Sequence, residues 1–211
     1  MKIVTILIVF LFFIKTDTIA QTTDFFPCTL ITNNNDTLRY KIGKLGGPTT
    51  NKESGKLIVY NDHGGKVIYT ADQVKAFSSQ GFNFISLPLK ENPYNLKKGF
   101  VLTLTKGSMC LYKLKYTKSK ASATGRTITK CIEYYYVRKS QDKGEALLAA
   151  KVSCEIVQLV KQPSKRNYKE LCDYFSEAPK IKAKLITKEY KREEIEQIVD
   201  LYNVYKKMNK K

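Results

Sequence analysis

The chain has 211 residues, 37 Lys and Arg against 19 Asp and Glu for a net charge of +18, one histidine and five cysteines. That length suits one domain with a short appendage, and an apolar fraction of 43% with 14 Tyr and 10 Phe excludes a disordered polar chain. No C-x-x-C pair occurs, which argues against a zinc ribbon or a thioredoxin-like centre.

In chain order, Met1–Ala20 reads as a cleavable export signal. Lys2 supplies the positive start, Ile3–Ile14 is apolar apart from Thr5, and Thr18-Ile19-Ala20 sets small residues before Gln21. As a helix the apolar run spans about 18 Å, too short for a hydrocarbon core of about 30 Å. Cys28 follows Phe25-Phe26-Pro27 and lacks the small residues that lipid-anchor processing needs. With no later apolar stretch of membrane-spanning length, the expectation is an exported protein, periplasmic or attached to the cell envelope, with no span once the signal is removed.

From about Leu30 to Arg138 the pattern is that of short strands. Leu38, Tyr40 and Ile42 alternate with polar neighbours, the period of a half-buried strand. Lys44–Gly55 is turn-rich. Lys56–Tyr60 and Lys66–Thr70 flank Asn61-Asp62-His63-Gly64-Gly65, a hairpin signature. Gln73–Phe77 and Phe82–Leu89 are further strands around Ser78–Gly81. Phe100–Thr105 and Cys110–Thr117 form the clearest hairpin, followed by a basic loop over Thr117–Thr129 and a strand over Lys130–Arg138 with Ile132, Tyr134 and Tyr136 on its core side. One face of this sheet is expected to be polar.

Glu145–Val160 is ambiguous between a last strand and a helix, since its apolar run fits both periods poorly. From Asn167 the period is helical: Asn167 with Glu170 resembles a capping box, Pro179 suits the first turn of a second helix, and Ile195, Ile198, Val199, Tyr202 and Tyr205 form one stripe of a third. The fold expected is α+β: a mostly antiparallel β-meander over 21–143, a connecting segment over 144–164 and a helical tail over 165–211, packed on the sheet.

Several of these motifs together resemble a family of exported Bacteroidota proteins with no assigned function. They are Asn35-Asp36-Thr37-Leu38, Gly65–Phe77, Phe100–Tyr112, Tyr134-Tyr135-Tyr136, Leu171–Phe175, Lys188-Glu189-Tyr190 and Ile195–Asn203. The resemblance implies a β-rich envelope protein with a helical tail, similar to regions that precede outer-membrane barrels. It implies no catalytic residue. Cys172 departs from the family position of the tail cysteine, so no shared disulfide is carried over.

No constellation asks for catalysis. His63 sits in a turn, no hydrolase, metalloprotease or phosphate-binding motif is present, and no cofactor is expected. Between Lys97 and Lys139 stand eleven basic residues and one acid, Glu133, which leaves no room there for a two-carboxylate site. Within that stretch Lys113, Lys115, Lys118, Lys120, Arg126 and Lys130 lie near Tyr112, Tyr116 and Tyr135 as a candidate polyanion-binding set. The expected function is a non-enzymatic interaction module meeting envelope proteins. The alternatives are a protein that binds lipopolysaccharide, acidic glycans or anionic headgroups, with no nucleic-acid partner expected, and an unrecognised hydrolase. The cysteines allow two disulfides with one thiol left over, in any pairing.

Overall fold

Period-two alternation sets the strands, and residues that tolerate positive φ close the hairpins between them. The computed structural model describes residues 25–42, 56–121, 127–153, 165–187 and 194–209. The export segment, the loop at 44–55 and Arg126 lie outside the described residues.

Ten strands follow in order: β1 (Phe26–Thr32), β2 (Thr37–Ile42), β3 (Lys56–Tyr60), β4 (Lys66–Thr70), β5 (Val74–Ser79), β6 (Phe82–Pro88), β7 (Lys98–Thr105), β8 (Met109–Ala121), β9 (Thr127–Lys139) and β10 (Leu147–Ser153). They form one sheet in the order β10-β9-β8-β7-β6-β5-β1-β2-β3-β4, and every strand pair is antiparallel. The chain departs from neighbour-to-neighbour pairing once, where β5 returns from the β4 edge to lie beside β1 with Leu30 opposite Phe77. The ambiguous segment after Gly144 resolves as strand over Leu147–Ser153, since Leu147 and Leu148 meet Val137 and Tyr136 on β9.

Two turns show why the hairpins close where they do. In the β3–β4 turn the Asn61 carbonyl Oδ1 accepts from the backbone N–H groups of His63 (3.1 Å) and Gly65 (2.7 Å). In the β5–β6 turn Gln80 (φ 52°) and Gly81 (φ 77°) are both left-handed, the conformation that matches the twist of the flanking strands.

Three helices follow: α1 (Lys165–Tyr174), α2 (Pro179–Ile186) and α3 (Ile195–Met208). Pro179 does open α2. The capping box expected at Asn167 does not hold: α1 starts two residues earlier, and the Glu170 carboxylate pairs with Lys90 on the loop after β6. The helices pack on the sheet as expected. Leu171, Phe175, Leu185, Ile195, Ile198, Val199 and Tyr202 share one buried cluster with Met109 and Leu111 of β8, Val137 of β9 and Leu147 and Ala150 of β10. Each fully buried aliphatic or aromatic side chain contributes about 1.5–3 kcal/mol, so this layer is a large share of the stability.

The expectation of one polar face fails in this half of the sheet. The other face carries a second cluster, in which Tyr112, Leu114, Tyr134, Tyr136 and Leu148 pack with Val101 and are covered by Leu89, Tyr94 and Ala146. Strands β7 to β10 are therefore sandwiched between the helices and the 89–97 loop. A third cluster, Cys28, Leu30, Ile42, Leu57, Val59, Val74 and Phe77, holds the N-terminal half. Among the described residues no helix is long and apolar enough to cross a membrane.

Candidate functional site

The cations of the basic stretch are distributed by strand parity. β8 and β9 pair rung by rung from Met109↔Lys139 to Ala121↔Thr127. Successive side chains of a strand point to opposite faces. Lys113 and Lys115 therefore share a face with Met109 and Leu111, the face covered by the helices. Lys113 Nζ lies 3.4 Å from Glu133, whose carboxylate also accepts from the Tyr135 hydroxyl at 2.9 Å. Lys115 is exposed and stands opposite Glu133 in the register. The one acid of the basic stretch thus serves this face.

Positions 118 and 120 have the other parity, that of Tyr112, Leu114 and Tyr116. Lys118 is registered opposite Lys130, and Lys120 opposite Ile128. The six cations expected as one set are thus divided between two parities, with Arg126 outside the described residues.

Among the described residues, the far end of this hairpin runs past the last rungs of its neighbours. The β7 pairing stops at Leu102↔Lys113, and the β10 pairing at Ser153↔Ile132. Among the described residues, the rungs from Thr117↔Cys131 to Ala121↔Thr127 pair only with each other. At about 3.3 Å per residue these rungs span roughly 15 Å. The sequence from Thr117 to Cys131 holds Lys118, Lys120, Arg126 and Lys130 and no acid.

At the root of the ribbon lies an aromatic group that the sequence only partly foretold. Tyr116 and Tyr134 meet edge to face at 6.3 Å, and Tyr94, brought in by the 89–97 loop, lies 5.1 Å from Tyr116. The Tyr94 hydroxyl donates to the Lys115 carbonyl at 3.3 Å, which pins the loop to β8. Lys151 of β10 sits 5.5 Å over the Tyr134 ring and 3.1 Å from the Glu91 carboxylate. The Tyr136 hydroxyl donates to the Glu91 carbonyl at 3.2 Å. Burial, then the neighbouring Tyr116 and Tyr134, pushes the Tyr94 phenol up to about 12; burial also raises Tyr134 and Tyr136. These rings are neutral donors at any physiological pH. Of the Tyr134-Tyr135-Tyr136 run, Tyr134 and Tyr136 are buried and Tyr135 is half-buried against the helix layer.

A second polar device binds the helices to the sheet. Asn203 of α3, 8% exposed, accepts from the Met109 N–H (2.8 Å) and donates to the Met109 carbonyl (2.9 Å). Glu177 pairs with Lys139 of β9 and, at 2.6 Å, with Lys206 of α3. The helix runs on through Lys206 and Lys207 to Met208. Hydrogen bonds to Lys139 and Lys206 hold the Glu177 carboxyl down to about 2.

His63 lies exposed in the β3–β4 turn, and among the described residues no group of three His, Cys, Asp or Glu could hold a metal ion. Cys131 is disulfide-bonded, whereas Cys28, Cys110 and Cys172 are thiols, with Cys28 and Cys172 buried. No known protein family, curated protein or solved structure matches the chain.

Proposed function

We propose that the protein is exported and acts in the cell envelope as a non-enzymatic interaction module, and that the β8–β9 ribbon is its contact element for anionic envelope polymers. The observation that carries this reading is that the sequence from Thr117 to Cys131 holds four cations and no acid, and that Lys118 is registered opposite Lys130 where β8 and β9 pair. Like charges on facing positions of a strand pair destabilise it, and an anion bound between them removes that penalty. The Met1–Ala20 segment and the resemblance to exported Bacteroidota proteins support export. So does the disulfide at Cys131, because such bonds persist chiefly in oxidising compartments.

Retention on immobilised heparin or lipopolysaccharide tests the contact element. Wild-type protein should be retained at low salt and released steeply as salt rises. Replacing Lys118, Lys120 and Lys130 by Glu should abolish retention, while Lys113→Glu with Lys115→Glu should retain most of it, because Glu133 serves that face. A triple variant that elutes with wild type would overturn the ribbon assignment. For the compartment, the protein isolated from its native cells should begin at Gln21 and carry a disulfide at Cys131 with Cys28, Cys110 and Cys172 open to alkylation once unfolded. A reduced Cys131 with Met1 retained would refute export.

A further inference from the structure

We infer that the outer stripe of α3 is a self-association surface, on which a second copy of this chain docks with its own α3 antiparallel about a two-fold axis near Val204. The inference goes beyond the polyanion reading and does not depend on it.

α3 is apolar on two sides. Ile195, Ile198, Val199 and Tyr202 are buried against the sheet, as the inner face of an amphipathic helix should be. Leu201, Val204 and Met208 turn the other way and are 38%, 52% and 73% exposed. At about 100° per residue these three side chains, with the exposed Gln197, fall within an arc of about 60° and extend about 16 Å along the helix. Single exposed apolar residues are ordinary on a protein surface, whereas a contiguous row of them marks a contact surface.

The charges beside this row select the occupant. Asp200 and Lys207 are exposed on one flank of it, where both line the groove that Lys106 borders, and Glu196 lies one turn before Asp200 on the same side. The acids thus stand in the N-terminal half of the helix and the lysine in the C-terminal half. Asp200 and Lys207 are seven residues apart, too far to pair within one helix, and neither has an ion-pair partner among the described residues.

An interface between two identical copies must be complementary to itself. With the axis near Val204, Leu201 of each copy meets Met208 of the other, Val204 meets its counterpart, and Asp200 meets Lys207. A parallel arrangement would set Asp200 on Asp200 and Lys207 on Lys207. The antiparallel one also aligns the two helix dipoles head to tail. An anionic lipid surface would welcome Lys106 and Lys207 but would have to take Glu196 and Asp200 with them, so the row fits a second copy better. The net charge of +18 on each copy opposes pairing, yet at about 0.15 M salt that repulsion is screened beyond about 8 Å while groups in contact are screened much less.

A surface of this size makes a weak, reversible interface, so the test is sedimentation equilibrium of the purified protein over about 1–500 µM. The wild type should show a monomer–dimer equilibrium. Val204→Glu puts a carboxylate on the axis and should weaken the dimer tenfold or more, with an unchanged circular dichroism melt because the side chain is half-exposed. Asp200→Lys should weaken it at least fivefold, and adding Lys207→Asp to that variant should recover most of the loss. A wild type that stays monomeric throughout overturns the inference, as does a dimer that Val204→Glu leaves intact. Failure of the charge swap to restore association overturns the antiparallel pairing. Vesicles of phosphatidylglycerol are the control: a monomer that binds them through Val204 would assign the row to lipid instead.

Discussion

Asn203 is the polar group on which the helical layer depends most. Its side-chain amide pairs with both backbone groups of Met109, a residue with no exposed surface at the start of β8. Asn203→Ala removes two hydrogen bonds, each worth about 1 kcal/mol net, and leaves a buried donor and a buried acceptor to recover what hydration they can. Desolvation of each orphaned group adds about 1–3 kcal/mol when no water reaches it. Water has a partial route, since Asn203 also lines a shallow groove with Lys106, Gly107, Ser108, Asp200, Val204 and Lys207. The expected loss is therefore about 2–4 kcal/mol, read as a lower urea midpoint at unchanged slope. Gly107 supplies an independent check. A Cβ there would lie 2.6 Å from the Asn203 side chain, so Gly107→Ala pushes the same amide off Met109. The two substitutions should then be strongly non-additive, with Gly107→Ala costing far less in the Asn203→Ala background. A loss below about 0.5 kcal/mol for Asn203→Ala, or full additivity of the pair, would refute the reasoning.

Two other perturbations test the energetics of the fold. The Glu177 carboxyl is held near 2 in the folded protein against an ordinary value of 4.5, so its contribution is complete above pH 4.5 and is lost as pH falls from there toward 2. Because this carboxylate is 37% exposed, screening reduces the contribution to about 1 kcal/mol. The stability difference between wild type and Glu177→Gln should shrink over that acid window, and a difference that stays constant from pH 5 to 2.5 would contradict the ion-pair account. In the β5–β6 turn, Gln80→Asn places a residue that tolerates φ near 52° at an exposed position. It should raise stability by about 0.5 kcal/mol in thermal or urea unfolding, and a loss there would mean that Gln80 makes a contact worth more than its backbone strain.

Much of the sheet was legible because its signals are local. The alternation of Leu38, Tyr40 and Ile42, the Asn61–Gly65 turn and the Ile195-Ile198-Val199-Tyr202 stripe each specify an element within a few residues. What the sequence concealed was relational. Lys113 and Lys118 look like members of one cluster until the register divides them by parity. Tyr94 carries no strand signal, and its arrival beside Tyr116 depends on a loop held in left-handed conformations at Glu91 and Asn95. Asn203 reads as one more polar position on a helix, and only the approach of the β7–β8 turn, with Gly107 at its closest point, reveals the backbone it serves. Met109 and Leu111 were likewise hidden: they share a strand face with Lys113 and Lys115, and the tail is what buries them.

The position of β1 has a kinetic consequence. From β5 to β10 every strand pairs with its successor, so that part of the sheet can form from local hairpins at little loop-closure cost. β1 is an interior strand, flanked by β2 and β5, and its pairing of Cys28 with Ser79 spans the three intervening strands β2, β3 and β4. A chain that emerges N-terminus first must hold the β1–β2 hairpin, with one edge unpaired, until β5 has followed. Docking of β1 onto β5 is therefore the contact-order bottleneck of folding, and the N-terminal hairpin is the portion of the chain most in need of protection from aggregation while it waits.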